Sequence, residues 1–194
     1  MKKRGFTAIL AGILMLSLAG CGKAAEEAEP MAGMANPWRD CTEEEAYQYA
    51  PNCFSAPEGS TNVHWSMMVT EGQDMNGIPG PLVQMQFDLD GLSFCAREQL
   101  VPGESIVDIS GMYFDWQDTE NVTLANWGGG NMPAEIKTYQ GEDEDAEICL
   151  WFDIETGATY SLSVDAEDLD GFDIQAVAEA IYDPAKQIGA NAPS

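Results

Sequence analysis

Asp90 and Gly91 separate two segments, 81–89 and 92–101, in which apolar and polar residues alternate. Asp-Gly is a favoured pair in two-residue β-hairpin loops, because both central positions of a type I′ turn need a positive φ. The predicted pairs are Leu89 with Leu92, Phe87 with Phe94, Met85 with Ala96 and Val83 with Glu98 on one face, and Gln84 with Arg97, Gln86 with Cys95 and Asp88 with Ser93 on the other. A slip of one residue would turn the apolar face to solvent, so the sequence predicts an antiparallel hairpin of fixed register.

Most of the chain beyond residue 60 has the pattern of further β-strands. Runs of apolar, β-branched and aromatic residues are separated by clusters of Gly, Asn, Asp and Pro, which mark turns and loops. A second hairpin is predicted around the acidic segment 141–145. The predicted strands outside the first hairpin are 62–71, 108–116, 122–127, 135–140, 146–154 and 160–164.

Two helices are predicted at the ends of this region. Thr42 and Glu45 have the spacing of a capping box, and Pro51 ends the short helix that follows. Asp173 can cap a second, amphipathic helix that ends before Pro184. We therefore predict one α+β domain, mostly an antiparallel sheet of about six or seven strands, with a short N-terminal helix and a C-terminal amphipathic helix packed on it.

The first 21 residues have the order of a secretory signal peptide: basic residues at 2–4, an apolar run over 6–18, and then small residues. An uncleaved membrane helix fits less well, because spanning needs about 20 apolar residues. An ordinary signal fits less well too, because no Ala-x-Ala site is present. Leu18-Ala19-Gly20-Cys21 resembles the lipobox of bacterial lipoproteins. That resemblance implies a lipid thioether on Cys21, cleavage just before it, and anchoring to the extracytoplasmic face of the cell membrane.

Composition divides the chain into four segments. Residues 1–20 are predicted to be the lipoprotein signal peptide, and 21–37 a lipidated flexible tether without periodic apolar residues. The α+β domain is predicted over 38–184, and 185–194 is predicted to be a tail.

Three stretches of the predicted domain carry a second resemblance. Asp108–Trp116, Cys149–Asp153 and Asp168–Tyr182 are similar to segments of small surface lipoproteins of Gram-positive anaerobes. None of the three is a catalytic motif. The resemblance therefore implies a surface location and carries over no site residue besides Cys21.

The chain is strongly acidic, with 8 basic and 33 acidic residues and a formal net charge of −25. Such a surface is repelled by nucleic acid and by anionic lipid or wall polymers. We expect the partners to be the membrane, through the lipid on Cys21, and a cationic ligand or another surface protein. The acidic surface would also keep an exported domain soluble.

Five cysteines are present, and lipidation of Cys21 leaves four (five minus one), an even number in a chain predicted to be exported. Four cysteines allow three pairings. A Cys41–Cys53 bridge is easy to close across the short predicted helix, and Cys95 with Cys149 is then the remaining pair. These candidate disulfides form only where the compartment is oxidising, since thiols stay reduced in an anaerobic one.

Residues for familiar chemistries are scarce. His64 is the only histidine, and no nucleophile elbow, phosphate loop or Cys-x-x-Cys pair accompanies it. We therefore expect no catalytic residues, no metal ligands and no cofactor, and we predict a binding or envelope-accessory protein rather than an enzyme.

Two alternatives to that prediction depend on acidic residues. A small extracytoplasmic hydrolase could use a pair of carboxylates. A calcium-binding surface module could use one of two acidic clusters, although neither has the EF-hand spacing. The clusters are Glu142, Asp143, Glu144, Asp145 and Glu147, and Asp165, Glu167, Asp168, Asp170 and Asp173.

Overall fold

The computed structural model describes residues 37–49, 54–68, 80–101, 103 and 105–186. Within these residues, eight strands form one sheet, with the spatial order β1-β2-β3-β4-β8-β7-β6-β5, and all neighbouring strands are antiparallel. The strands are β1 (Trp38–Cys41), β2 (Thr61–Met68), β3 (Leu82–Leu89), β4 (Leu92–Leu100), β5 (Asp118–Leu124), β6 (Met132–Gln140), β7 (Asp145–Asp153) and β8 (Ala158–Ala166). The predicted mostly antiparallel β architecture is therefore confirmed, with eight strands where about six or seven were expected.

The sheet consists of two four-stranded meanders. Strands β1 to β4 follow one another in space, as do β5 to β8, and the two meanders join where β4 pairs with β8. The chain that connects β4 to β5 must therefore travel from the middle of the sheet to its far edge. We call its described residues 105–117 the strap.

The β3–β4 hairpin has the predicted register, from Leu89 opposite Leu92 to Val83 opposite Glu98. Asp90 has φ 51° and Gly91 has φ 86°, so both turn residues take the left-handed conformation that a type I′ turn requires. The Phe87 and Phe94 side chains are buried, and their rings stack with centroids 5.1 Å apart. Turn chemistry and side-chain alternation were therefore sufficient to predict this element.

Each face of the sheet is covered by different parts of the chain. The helix face carries Phe94, Leu162 and Trp151 and packs against α1 (Glu43–Tyr49) and α2 (Ile174–Ala180). The opposite face carries Arg97 and Thr159, both of which bond to the strap, and we call it the strap face. Helix α2 begins with Asp173, whose carboxylate accepts the Ala176 N–H at 3.1 Å. Its buried residues are Ile174, Val177 and Ala178.

The strand predicted over 108–116 is wrong. These residues, all of which the structure describes, belong to the strap and to no strand. Their alternating pattern resembles a strand, but their backbone carbonyls bond to a side chain of the sheet instead of to a neighbouring strand: Arg97 Nη1 donates to the carbonyl oxygens of Ile109 at 3.0 Å and Ser110 at 2.5 Å.

The predicted pairing of Cys95 with Cys149 is not formed, and both are free thiols. Cys95 on β4 is opposite Ser163 of β8, whereas Cys149 on β7 is opposite Leu162 of β8. Because adjacent residues of a strand point to opposite faces, the two thiols lie on different faces and two strands apart. That separation exceeds the Cα distance of about 7 Å that a disulfide can span.

The other predicted pair begins with Cys41, at the end of β1. Its thiol is free as well, and it is half-buried. Cys53 lies outside the described residues, as do Cys21, the predicted signal peptide at 1–20 and nearly all of the predicted tether at 21–37.

Candidate functional site

A cleft of about 420 Å³ opens at the end of the sheet where β7 turns into β8. Its walls come from three segments that are distant in sequence: the start of the strap, the glycine-rich loop before β6, and the β7–β8 turn. The cleft is lined by Ser105, Ile106, Gly128, Asn131, Met132, Pro133, Phe152, Asp153, Ile154 and Glu155. Its size is that of a site for a small molecule.

The strap forms one wall, and two side chains of the strap face hold it. Thr159 Oγ1 donates to the Val107 carbonyl at 3.0 Å and accepts the Val107 N–H at 3.2 Å. Arg97 holds the next part of the strap through the carbonyls of Ile109 and Ser110. Gly111 has φ +72°, and a Cβ there would overlap the Arg97 guanidinium. The wall is therefore fixed to β4 and β8.

The loop before β6 forms the opposite wall and is held by α2. Trp127 Nε1 donates to the Ala178 carbonyl at 2.9 Å, inside the core. The Glu179 carboxylate accepts the backbone N–H of Ala125 and, at 2.6 Å, that of Asn126. The three glycines that follow Trp127, Gly128–Gly130, all have positive φ, which lets the chain turn sharply beside the cleft.

The floor of the cleft is Asp153, the last residue of β7. Its surface is 5% exposed, and Oδ1 accepts the Glu155 N–H at 2.8 Å. The turn that follows is closed by a hydrogen bond from the Gly157 N–H to the Asp153 carbonyl at 2.8 Å. These contacts fix the carboxylate at the end of the strand, where a ligand in the cleft can reach it.

A second carboxyl lies behind Asp153. Glu98 on β4 is opposite Tyr160 of β8, and Asp153 is opposite Ala158, two residues before Tyr160, so both acids are on the helix face. Glu98 is 0% exposed, and both of its side-chain oxygens lack a hydrogen-bond partner among the described residues. Burial and then the nearby Asp153 carboxylate raise the pKa of Glu98 well above its ordinary value, which favours the neutral form of its carboxyl.

Neither Asp153 nor Glu98 was identified as a candidate site residue from the sequence. The signal for Glu98 was present in the hairpin register, which assigns an acid to a face that is otherwise apolar. Asp153 gave a weaker signal, since an acid before a turn is common and usually exposed. The strap wall had no signal, because residues 108–116 were predicted to be a strand.

Asp145 and Glu147 of the first predicted acidic cluster line a separate crevice of about 120 Å³ near the other end of β7. The Leu169 N–H donates to Asp145 Oδ2 at 3.1 Å, which joins the second cluster to the first. Burial, then Asp173 and then Asp145, raise the pKa of Glu147 to about 7. Within the described part of the chain, no three His, Cys, Asp or Glu side chains are grouped so as to hold a metal ion.

His64 is on the strap face of β2 and is not part of the cleft. Its side chain is about half exposed, and Nε2 lies 3.2 Å from Asp40 Oδ1, a neighbour that is also exposed. Cys95 lies on the same face two strands away, opposite Gln86. His64 and Cys95 line one pocket of about 330 Å³ on this face, with Gln86 of β3 between them.

No protein-family model, no curated protein and no solved structure matches this chain. Among the described helices, none is both long enough and apolar enough to cross a membrane.

Proposed function

We propose that the protein is a lipoprotein, anchored to the extracytoplasmic face of the cell membrane through a lipid on Cys21, that binds a small ligand in the cleft. Residues 38–184 would act as one domain, with α1 as its N-terminal helix. The anchor is supported by the signal-like segment and the lipobox resemblance at Leu18-Ala19-Gly20-Cys21. The binding role is supported by one structural observation: Asp153, almost fully buried, forms the floor of an open cleft with apolar walls.

A carboxylate-dependent hydrolase is the second candidate, and the proximity of Glu98 to Asp153 favours it. Hydrolysis by two carboxyls requires both to face the scissile bond from opposite sides. Glu98 is fully buried and does not line the cleft, so the acids that can touch a ligand there are Asp153 and Glu155, which lie on the same β7–β8 turn and not on opposite sides of the cleft. Binding without turnover is therefore the function we prefer.

The binding role is tested by filling the cleft. Asn131 is exposed and lines it, so Asn131→Trp would occupy the cleft without disturbing the core. Asn121→Trp, on the exposed surface of β5, is the matched control. The probes are three phenyl compounds of similar size and different charge: phenethylamine, phenethyl alcohol and hydrocinnamate.

We expect at least one probe to shift the methyl NMR signals of Ile106, Met132 and Ile154 in the mature protein and in Asn121→Trp, and not to bind Asn131→Trp. If no probe of any charge perturbs these methyl groups, the proposed binding role is wrong. Release of product from chromogenic glycosides or esters, lost in Asp153→Asn, would instead favour the hydrolase.

A further inference from the structure

The Asp153 carboxylate offers a ligand one unused hydrogen-bond acceptor. Oδ1 accepts the Glu155 N–H, and within the described part of the chain Oδ2 accepts no hydrogen bond. A carboxylate can only accept, so the group that meets it must be a donor. Because Asp153 itself is almost fully buried, a charged donor that reaches its carboxylate gains more there than it would at an exposed carboxylate.

The negative charge near the cleft lies on Asp153 and not on the acid behind it. Glu98 is fully buried and has no hydrogen-bond partner among the described residues, an environment that disfavours its charged form. Glu155 adds a second carboxylate at the rim, where it is exposed. No Lys or Arg is among the described residues that line the cleft, and the chain as a whole carries −25. The site therefore attracts cations.

The walls of the cleft are apolar. Ile106 comes from the strap, Met132 and Pro133 from the start of β6, and Phe152 from β7. Ile154 at the mouth is 70% exposed and adds a further apolar side chain to the lining. A small inorganic ion would leave the apolar walls of the cleft in contact with water. The ligand therefore needs an apolar part as well as a charged group.

Resting on the binding role proposed above, we infer that the cleft takes a small primary amine carried on an apolar skeleton. Its ammonium group donates to Asp153 Oδ2, and its apolar part lies against Ile106, Met132 and Phe152. A metal ion would not use the apolar walls, and an anion would be repelled by both carboxylates. A neutral molecule would leave the charge of Asp153 without a counterpart.

The test compares the three phenyl probes by calorimetric titration of the mature protein near neutral pH. We expect phenethylamine to bind at least about tenfold more tightly than phenethyl alcohol, since a hydrogen bond to a charged group adds that much or more. We expect no binding of hydrocinnamate. Such an ammonium group could belong to a free amine or to the amino terminus of a peptide. Phenylalaninamide, whose amine is flanked by an amide, distinguishes these two sources. Tighter binding of phenylalaninamide than of phenethylamine would identify a peptide amino terminus, and weaker binding a free amine.

Asp153→Asn retains an oxygen that can accept the Glu155 N–H and removes the charge. We expect it to lose the preference for the amine over the alcohol, whereas Asp165→Asn, an exposed charge on the strap face, keeps that preference. Glu155→Gln, at the rim, is the second variant in case Asp153→Asn fails to fold, and we expect it to weaken amine binding by a smaller factor.

Different results would contradict the proposed ligand class and the proposed binding role of the cleft. Equal binding of alcohol and amine, or an amine preference that survives in both Asp153→Asn and Glu155→Gln, would overturn the ligand class and leave the cleft as a binding site. Absence of any binding in the cleft would overturn both proposals.

Discussion

Glu98 is the residue whose chemistry differs most from its surroundings. Its carboxyl is buried among apolar side chains and has no hydrogen-bond partner in the described part of the chain. Because its pKa is raised above the ordinary 4.5, its neutral form belongs to the folded state. The contribution of Glu98 to stability is therefore fully present below that value and is lost as the pH rises toward the raised pKa.

Glu98→Gln removes this titration and leaves a side chain of the same shape. We expect the variant to gain stability relative to the wild type as the pH rises, so that the difference in unfolding free energy is larger at about pH 8 than at about pH 4. Urea denaturation across this range measures the difference. Glu120→Gln, which removes an exposed charge from β5, is the control variant. It measures how much stability is gained simply by reducing the repulsion among the negative charges of an acidic protein. Identical pH profiles for the two variants would contradict the assignment of a neutral acid at Glu98.

Gly111 allows the strap to pass close to Arg97. Its φ of +72° costs a side-chain-bearing residue about 1–2 kcal/mol, and a Cβ would also displace the Arg97 guanidinium. Gly157 has nearly the same φ, +70°, with no atom within 4 Å of the position that a Cβ would take, so it is the matched control. We expect Gly111→Ala to lower the unfolding free energy by clearly more than Gly157→Ala. Equal losses in urea denaturation would show that the Arg97 contact does not hold the strap.

At the scale of elements, the β3–β4 hairpin is stabilised by an aromatic pair that joins its two strands. The Phe87 and Phe94 rings stack across it, 5.1 Å apart, with an angle of 15° between their planes. We expect Phe94→Ala to cost about 3–5 kcal/mol, since it leaves a cavity in the core. In a double-mutant cycle with Phe87→Ala, we expect a coupling of about 0.5–1.5 kcal/mol. Strictly additive losses would mean that the rings do not stabilise the register.

Elements whose contacts are local could be predicted from the sequence, and those that depend on distant side chains could not. The hairpin register follows from Asp90-Gly91 and the alternation around it, which act over neighbouring residues. The strap also has a strand-like composition over 108–116, but two side chains of the sheet determine its conformation: Arg97, and Thr159, which lies 52 residues from its partner Val107. The same reason explains the cleft, because its walls are brought together by the order of the strands.

At the scale of the whole molecule, the net charge is compatible with the lipid anchor that we propose. A lipid on Cys21 would hold the domain at a membrane whose anionic lipids repel a chain of net charge −25. The domain would therefore extend away from the bilayer on its tether, and small cations would be concentrated around it. An acidic cleft with apolar walls suits a protein in that position.

The most direct test of this account is whether Cys21 carries lipid. Cells that express the wild type, Cys21→Ala or Cys41→Ala are labelled with radioactive palmitate and fractionated. We expect the wild type and Cys41→Ala, which loses only a free thiol of the folded part, to be labelled and found with the membrane. We expect Cys21→Ala to be unlabelled and absent from the membrane. A wild type without label, or a wild type and Cys21→Ala found equally in the cytosol, would contradict the account.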